Sequence, residues 1–173
     1  LSDILLDRWC YRDMDDVAEA TGSKFLHGYV KAQIDAANLR FLVRTLRMGK
    51  NADFLRGVLF EGGDVAEDAI LAVSAGGGNG LAELYAATRF RAAAEAGAEA
   101  LRGGALTEFE KLCDDAVGDY LAGAQMVPFG EAPVLGYLAA RETEYTNLRI
   151  LLLGRSMGLP ADVIRSRLRA GYV

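Results

Sequence analysis

Two short polar pairs carry the spacing best suited to joint chemistry. Asp35 and Asn38 stand three residues apart, and so do Glu144 and Asn147. On a helix that spacing puts both side chains on one face. Each pair therefore offers a carboxylate beside an amide. The carboxylate accepts hydrogen bonds, while the amide both donates and accepts. Leu42 and Leu151 continue the same faces one turn further on. Polar groups set above a leucine need partners, or each costs about 1–3 kcal/mol. The expected partners are backbone groups where the following chain folds back.

Other reactive side chains lack company. His27 is the single histidine and has no catalytic partner evident in the sequence. Glu142 and Glu144 are two apart and diverge on a helix, so they make no metal pair. Asp114-Asp115 has no third ligand. Gly76-Gly77-Gly78-Asn79-Gly80 lacks the Lys-Ser/Thr ending of a phosphate loop, and no strand precedes it. It reads as a connector. Cys10 and Cys113 lie far apart, without metal-ligand spacing, and read as free thiols. Trp9, Tyr11, Tyr85, Phe90, Tyr120 and Tyr145 fall in helical segments and read as packing residues. No catalytic, cofactor or metal set follows from these residues.

The polar pairs belong to a longer repeat. Asp35-Ala36-Ala37-Asn38-Leu39-Arg40 runs on to Met48-Gly49, then to Asp53, Arg56, Leu59 and Gly62. About 109 positions later Glu144-Tyr145-Thr146-Asn147-Leu148-Arg149 runs on to Met157-Gly158, then to Asp162, Arg165, Leu168 and Gly171. The stretches align without a gap, which marks a duplicated unit. Arg40 and Arg149 point away from the amides, where a guanidinium can pair with acids or clamp a helix end. Gly49 and Gly158 supply the positive φ that a tight exit from a long helix requires. Duplicated helical units build frameworks and docking surfaces more readily than a single cleft.

The elements that must position these residues are all helical. The apolar spacing predicts a helix to about residue 20, then a long helix over about 24–48, capped by Ser23. The latter is apolar around much of its girth and is expected to lie between neighbours. Asn51 caps a short helix over about 52–60, and Asp64 caps another to Val73. Residues 81–101 read as one or two helices, with Gly97 a weak point. Thr107 and Glu110 have capping-box spacing for a helix to about residue 122. A second long helix spans about 132–157, with Pro133 in its first turn, and a short one follows Pro160 to about Gly171. No segment alternates as a strand does. The chain is thus all-α, built of tandem units of long helix, glycine turn and short helix. Residues 1–63 read as the back part of one unit and 64–173 as a complete one. The pattern is already helical at Leu1, so a preceding unit is expected in a longer protein.

Composition narrows the function. With 24 acidic against 19 basic residues the net charge is -5, which disfavours nucleic acid as a partner. No apolar run is long enough to span a bilayer. Arg141, Arg149, Arg155, Arg165, Arg167 and Arg169 crowd the final stretch. They read as a solvated face, or more sharply as a site for an acidic partner.

Ile34-Asp35-x-x-Asn38-Leu39, with Arg44 and Gly62-Gly63, resembles a motif of the C subunit of archaeal and bacterial V-type (A-type) ATPases, related to the eukaryotic d subunit. Phe129-Gly130, Tyr137-Leu138, Glu142-x-Glu144-x-x-Asn147-Leu148-Arg149, Gly158, Ile164-Arg165-x-x-Leu168 and the closing Tyr172-Val173 look closer still. The resemblance implies a funnel-like fold of three helical units, and a non-catalytic subunit that binds no nucleotide or other cofactor. It implies a place between the central stalk and the membrane proteolipid ring, at the cytoplasmic face, passing torque for proton or sodium transport. The expected partners are the stalk subunits and that ring. Candidate contacts are Arg155, Arg165, Arg167 and Arg169, and the helix ends beside Gly49 and Gly158. A piece of the funnel could also pair with a second copy through its uncovered faces. A generic helical-repeat scaffold is the other reading, but a period of about 109 residues is too long for the common solenoids.

Overall fold

The computed structural model of the chain describes residues 2–171. Among these residues it is all-helical, with nine α-helices and no strand. In order they are α1 (Ser2–Thr21), α2 (Lys24–Arg47), α3 (Ala52–Arg56), α4 (Glu67–Ala75), α5 (Leu81–Leu84), α6 (Arg91–Leu101), α7 (Leu106–Ala122), α8 (Glu131–Ser156) and α9 (Ala161–Arg167). A 3₁₀ turn, Gly123–Met126, links α7 to α8.

Helix α2 is the spine. Ser23 caps it by accepting from the Leu26 N–H at 3.2 Å. Its apolar residues are spread around the girth, and neighbours cover them on several sides. Val30 and Ile34 join Ala18 of α1 and Phe60. Ala32, Ala36, Leu39, Leu42 and Val43 join the main core with Tyr85, Phe90, Phe109, Cys113 and Val117. Packing against α1, α6 and α7 is therefore what the wide apolar band calls for.

Several sequence expectations need correction. Asp64 does not cap α4, which starts after Ala66 and has no side-chain cap. The Asp64 N–H is instead drawn to Asp35 at 3.1 Å, and its carboxylate takes Lys31 at 3.1 Å. Thr107 is not an N-cap either: α7 starts at Leu106, and its cap, Ala105, makes no side-chain bond. Leu106 packs on the core, which draws the helix back past Thr107. The break between α5 and α6 falls at residues 85–90, not at Gly97. There Tyr85 and Phe90 both turn inward, and Thr88 bonds the backbone of each. Gly97 is a contact point within α6. A Cβ added there would stand 3.0 Å from Val43 Cγ2 and 3.2 Å from the Phe109 ring. Helices α3 and α9 end at Arg56 and Arg167, earlier than expected. Trp9 and Tyr145, expected in packing, are both exposed. Tyr172-Val173 lies outside the described residues.

Because Gly97 is where α6 meets α2, Gly97→Ala is expected to overpack that seam. The loss should be about 1–3 kcal/mol, read from the urea midpoint. An unchanged midpoint would mean that the seam yields.

Candidate interaction surface and its framework

The two asparagines do the same thing at matching places. Asn38 Nδ2 donates to the Phe60 carbonyl at 2.8 Å, and the Phe60 N–H donates to Asn38 Oδ1 at 2.9 Å. Asn147 Nδ2 donates to the Arg169 carbonyl at 3.1 Å, and the Arg169 N–H donates to Asn147 Oδ1 at 2.8 Å. Each amide thus closes a two-bond ring on one backbone residue 22 positions ahead. This explains why α3 and α9 stop early. A residue whose N–H and C=O face a side-chain amide is not available to prolong a helix.

The turns between also match. Gly49 and Gly158 have φ of 65° and 69°. Lys50 N–H reaches back to the Thr45 carbonyl at 3.0 Å, and Leu159 N–H to the Gly154 carbonyl at 2.9 Å. The left-handed glycine lets each long helix end and the chain reverse within two residues. Leu55 of α3 and Ile164 of α9 then plug the space beneath, both buried.

The carboxylates differ. Asp35 is buried and accepts from two backbone N–H groups, Asp64 at 3.1 Å and Val65 at 3.1 Å. A Cβ at Gly63 would lie 2.3 Å from Asp35 Oδ1, so only glycine fits this approach. Burial holds the Asp35 carboxyl above its ordinary pKa, while the bonds from Val65 and Asp64 act the other way. Glu144 is exposed and pairs with Arg141 one turn away. The residue that matches Asp64 is Val173, outside the described residues.

A charge clamp ties the C-terminal chain to α2. Glu110 and Asp114 lie on one face of α7. Glu110 takes Arg40 Nε at 3.0 Å and Arg44 at 2.7 Å, while Asp114 binds both Arg40 and Arg169. Asp115 accepts the Ala170 N–H at 2.9 Å. The Asp114-Asp115 pair, which lacked a third ligand in sequence, is thereby a receiver for two arginines and a backbone group. Partly exposed pairs of this kind contribute on the order of 1 kcal/mol each. The sequence reading missed this clamp, although the acids sit four apart on a helix.

Among the candidate contact residues, Arg169 is committed to Asp114 and to the Arg167 carbonyl. Arg155, Arg165 and Arg167 are exposed. Arg155 and Arg165 flank a groove between α8 and α9, floored by Leu151, Leu159, Ile164 and Leu168. His27 lies at the surface against Asp15, 3.2 Å away. Cys10 is exposed, and Cys113 is buried with its thiol pKa pushed up to about 12 by burial. Among the described residues no three His, Cys, Asp or Glu converge as metal ligands, and no helix is long and apolar enough to cross a membrane.

Residues 2–167 match the family described as ATP synthase (C/AC39) subunit. The chain is 26% identical to the C subunit of the V-type sodium ATPase of Enterococcus hirae, over 98% of this chain and 52% of that one. It is 28% identical to the C subunit of the A-type ATP synthase of Haloferax volcanii, over 94% of this chain and 47% of that one. With the C subunit of the A-type ATP synthase of Halorubrum lacusprofundi the identity is 31%, over 81% and 40%. The chain spans about half the length of these curated relatives. No solved structure gives a significant match.

Two outcomes follow. Asn38→Ala leaves the Phe60 N–H and carbonyl buried without partners and should cost about 2–4 kcal/mol, whereas Asn147→Ala, half-exposed, should cost about 1 kcal/mol. Chemical denaturation of the two variants reads the difference, and equal small losses would contradict it. Asp35 gives a pH signature. Its raised native pKa means that the folded state holds the proton more tightly than the unfolded chain. That contribution is fully present below about pH 4 and is lost as pH rises through the native value. The native protein should therefore lose stability relative to Asp35→Asn as pH rises above about 4. The opposite trend would mean that the two N–H bonds outweigh burial.

Proposed function

Because the chain belongs to the ATP synthase (C/AC39) subunit family, that of a non-catalytic subunit of V/A-type ATPase complexes, we propose that the full-length protein is a rotor subunit. It links the central stalk to the membrane proteolipid ring and passes torque between them, for transport of protons or sodium ions. It works at the cytoplasmic face, held to the membrane through the ring. Residues 1–63 serve as the back part of one repeat and residues 64–173 as the next, a further repeat being carried by the rest of the protein.

The observation that carries this reading is the double fastening of the long helices. Each is pinned to its own return segment by an asparagine, and Arg40 of α2 and Arg169 share Asp114. A body that transmits torque must resist shear between helices. Side-chain bonds to backbone, set over a close-packed core, supply that resistance. The α8–α9 groove suits docking: an apolar floor rimmed by Arg155 and Arg165 matches an acidic amphipathic surface. Arg169 holds the return segment in place through Asp114.

Deleting the gene tests the reading. Stalk subunits should no longer co-purify with the proteolipid ring, and the full-length protein should restore the link. Restoration with Arg155→Glu and Arg165→Glu together should recover at least about tenfold less stalk on the ring at physiological salt. Stalk and ring that stay joined without the protein would sink the proposal and favour a general helical scaffold.

A further inference from the structure

Four asparagines are present in the chain, Asn38, Asn51, Asn79 and Asn147. Three have their side chains committed. The amides of Asn38 and Asn147 close on Phe60 and Arg169. The residues after them, Leu39 and Leu148, stand mid-helix, where each N–H is held by the turn before it. Asn51 accepts the Phe54 N–H at 3.0 Å. It is followed by Ala52, whose methyl group crowds the adjoining nitrogen.

Asn79 differs on every count. It is exposed, and its side chain has no hydrogen bond among the described residues. Its successor is Gly80, exposed too, with no side chain to shield its nitrogen. The N–H groups of Asn79 and Leu81 reach the Gly76 and Gly78 carbonyls at 3.4 and 3.2 Å, but the Gly80 N–H between them makes no hydrogen bond among the described residues.

The fold itself demands this glycine. Gly80 has φ of 84° and opens α5, so a side chain there would be strained. The turn around it is firmly seated. A Cβ at Gly78 would lie 2.6 Å from Leu101 Cδ1 and 3.2 Å from Leu46 Cδ1, which sets the loop against the ends of α6 and α2. The conformation that starts α5 therefore leaves a free amide side chain beside a free, unshielded backbone nitrogen.

We propose that Asn79-Gly80 is a site of intramolecular deamidation, with water as the sole co-reactant. The Gly80 nitrogen gives up its proton to solvent and attacks Asn79 Cγ. A bond forms between Gly80 N and Asn79 Cγ, and the Cγ–Nδ2 bond breaks. Nδ2 leaves as ammonia, taking up a proton from solvent in place of the one Gly80 lost. The product is a cyclic imide, which water then opens. Cleavage of the new N–Cγ bond gives aspartate at position 79. Cleavage between Gly80 N and the main-chain carbonyl carbon of residue 79 gives isoaspartate, in which the main chain runs through Cγ. Either product adds one negative charge to the net -5. The reacting groups belong to adjacent residues, so the attack is unimolecular and needs no enzyme.

Isoaspartate also lengthens the backbone by one methylene group just ahead of α5. Leu81, the first residue of that helix, is 1% exposed, and Tyr85 at its end is 0% exposed. The longer chain pushes Leu81 from its seat and loosens α5 on the core.

The test uses the full-length protein, incubated at neutral pH and physiological temperature, sampled over weeks and digested. Peptide masses read amide-to-acid exchange at each asparagine, and an isoaspartate methyltransferase with labelled S-adenosylmethionine counts isoaspartate. Asn79 is expected to convert at least about tenfold faster than Asn38, Asn51 or Asn147. Asn79→Gln, whose longer side chain closes its ring far more slowly, should hold the methyl label at background. Aged native protein should unfold at lower urea than equally aged Asn79→Gln. Conversion of Asn79 no faster than that of the other three would overturn the proposal, as would conversion seen only in the unfolded chain. A label that persists in Asn79→Gln would do the same, by placing the isoaspartate elsewhere. Equal urea midpoints after conversion would overturn the loosening of α5.

Discussion

One side-chain amide facing one backbone residue governs the shape of this chain. A carboxylate only accepts and an ammonium only donates, so neither can satisfy an N–H and a C=O together. Asparagine does both from one planar group. At Phe60 and again at Arg169 the backbone meets such a group on the long helix behind it. Once that ring is closed, the short helix must end, the glycine turn must be left-handed, and the residue between must fill the gap. Leu55 and Ile164 fill it. The constraint is local in space and spans 22 residues in sequence.

Much of this was readable in advance. The offset repeat displayed the amides, the glycines and the short-helix residues, and elementary rules supplied their needs. A buried amide needs backbone, and a glycine after a long helix needs positive φ. Caps at Ser23 and Asn51 were equally plain: Asn51 accepts from the Phe54 N–H, and Ser23 accepts from the Leu26 N–H while its hydroxyl is still free to donate to Glu131. Thr107 and Asp64 were misread. Leu106 packs on the core and pulls the start of α7 back, while Asp64 is bound up with Asp35 and Lys31. Tertiary demands outranked local signals at both sites.

The charge clamp and the bare strip on α8 were harder to foresee. Nothing in the spacing of Glu110, Asp114 and Asp115 says that Arg40 and Arg169 will approach from two elements. Likewise Leu148 and Leu152 look like core residues in sequence, since Leu39 and Val43 at the matching positions are core residues. Exposure depends on what lies alongside, and a repeat alone does not contain its neighbour. Matching positions in unequal surroundings, Val43 buried and Leu152 exposed, separate framework from surface in this family member.

Amide hydrogen exchange at Phe60 and Arg169 tests the central claim most directly. Both N–H groups sit outside helices, where unpaired amides exchange quickly. If each is held by an asparagine, Phe60 should exchange among the slowest amides of the protein, and Arg169 should be clearly slower than the exposed amides of Phe129 and Gly130. Exchange at both sites as fast as in the exposed segment at residues 129–130 would show that the amide rings do not hold the chain, and the account built on them would fall.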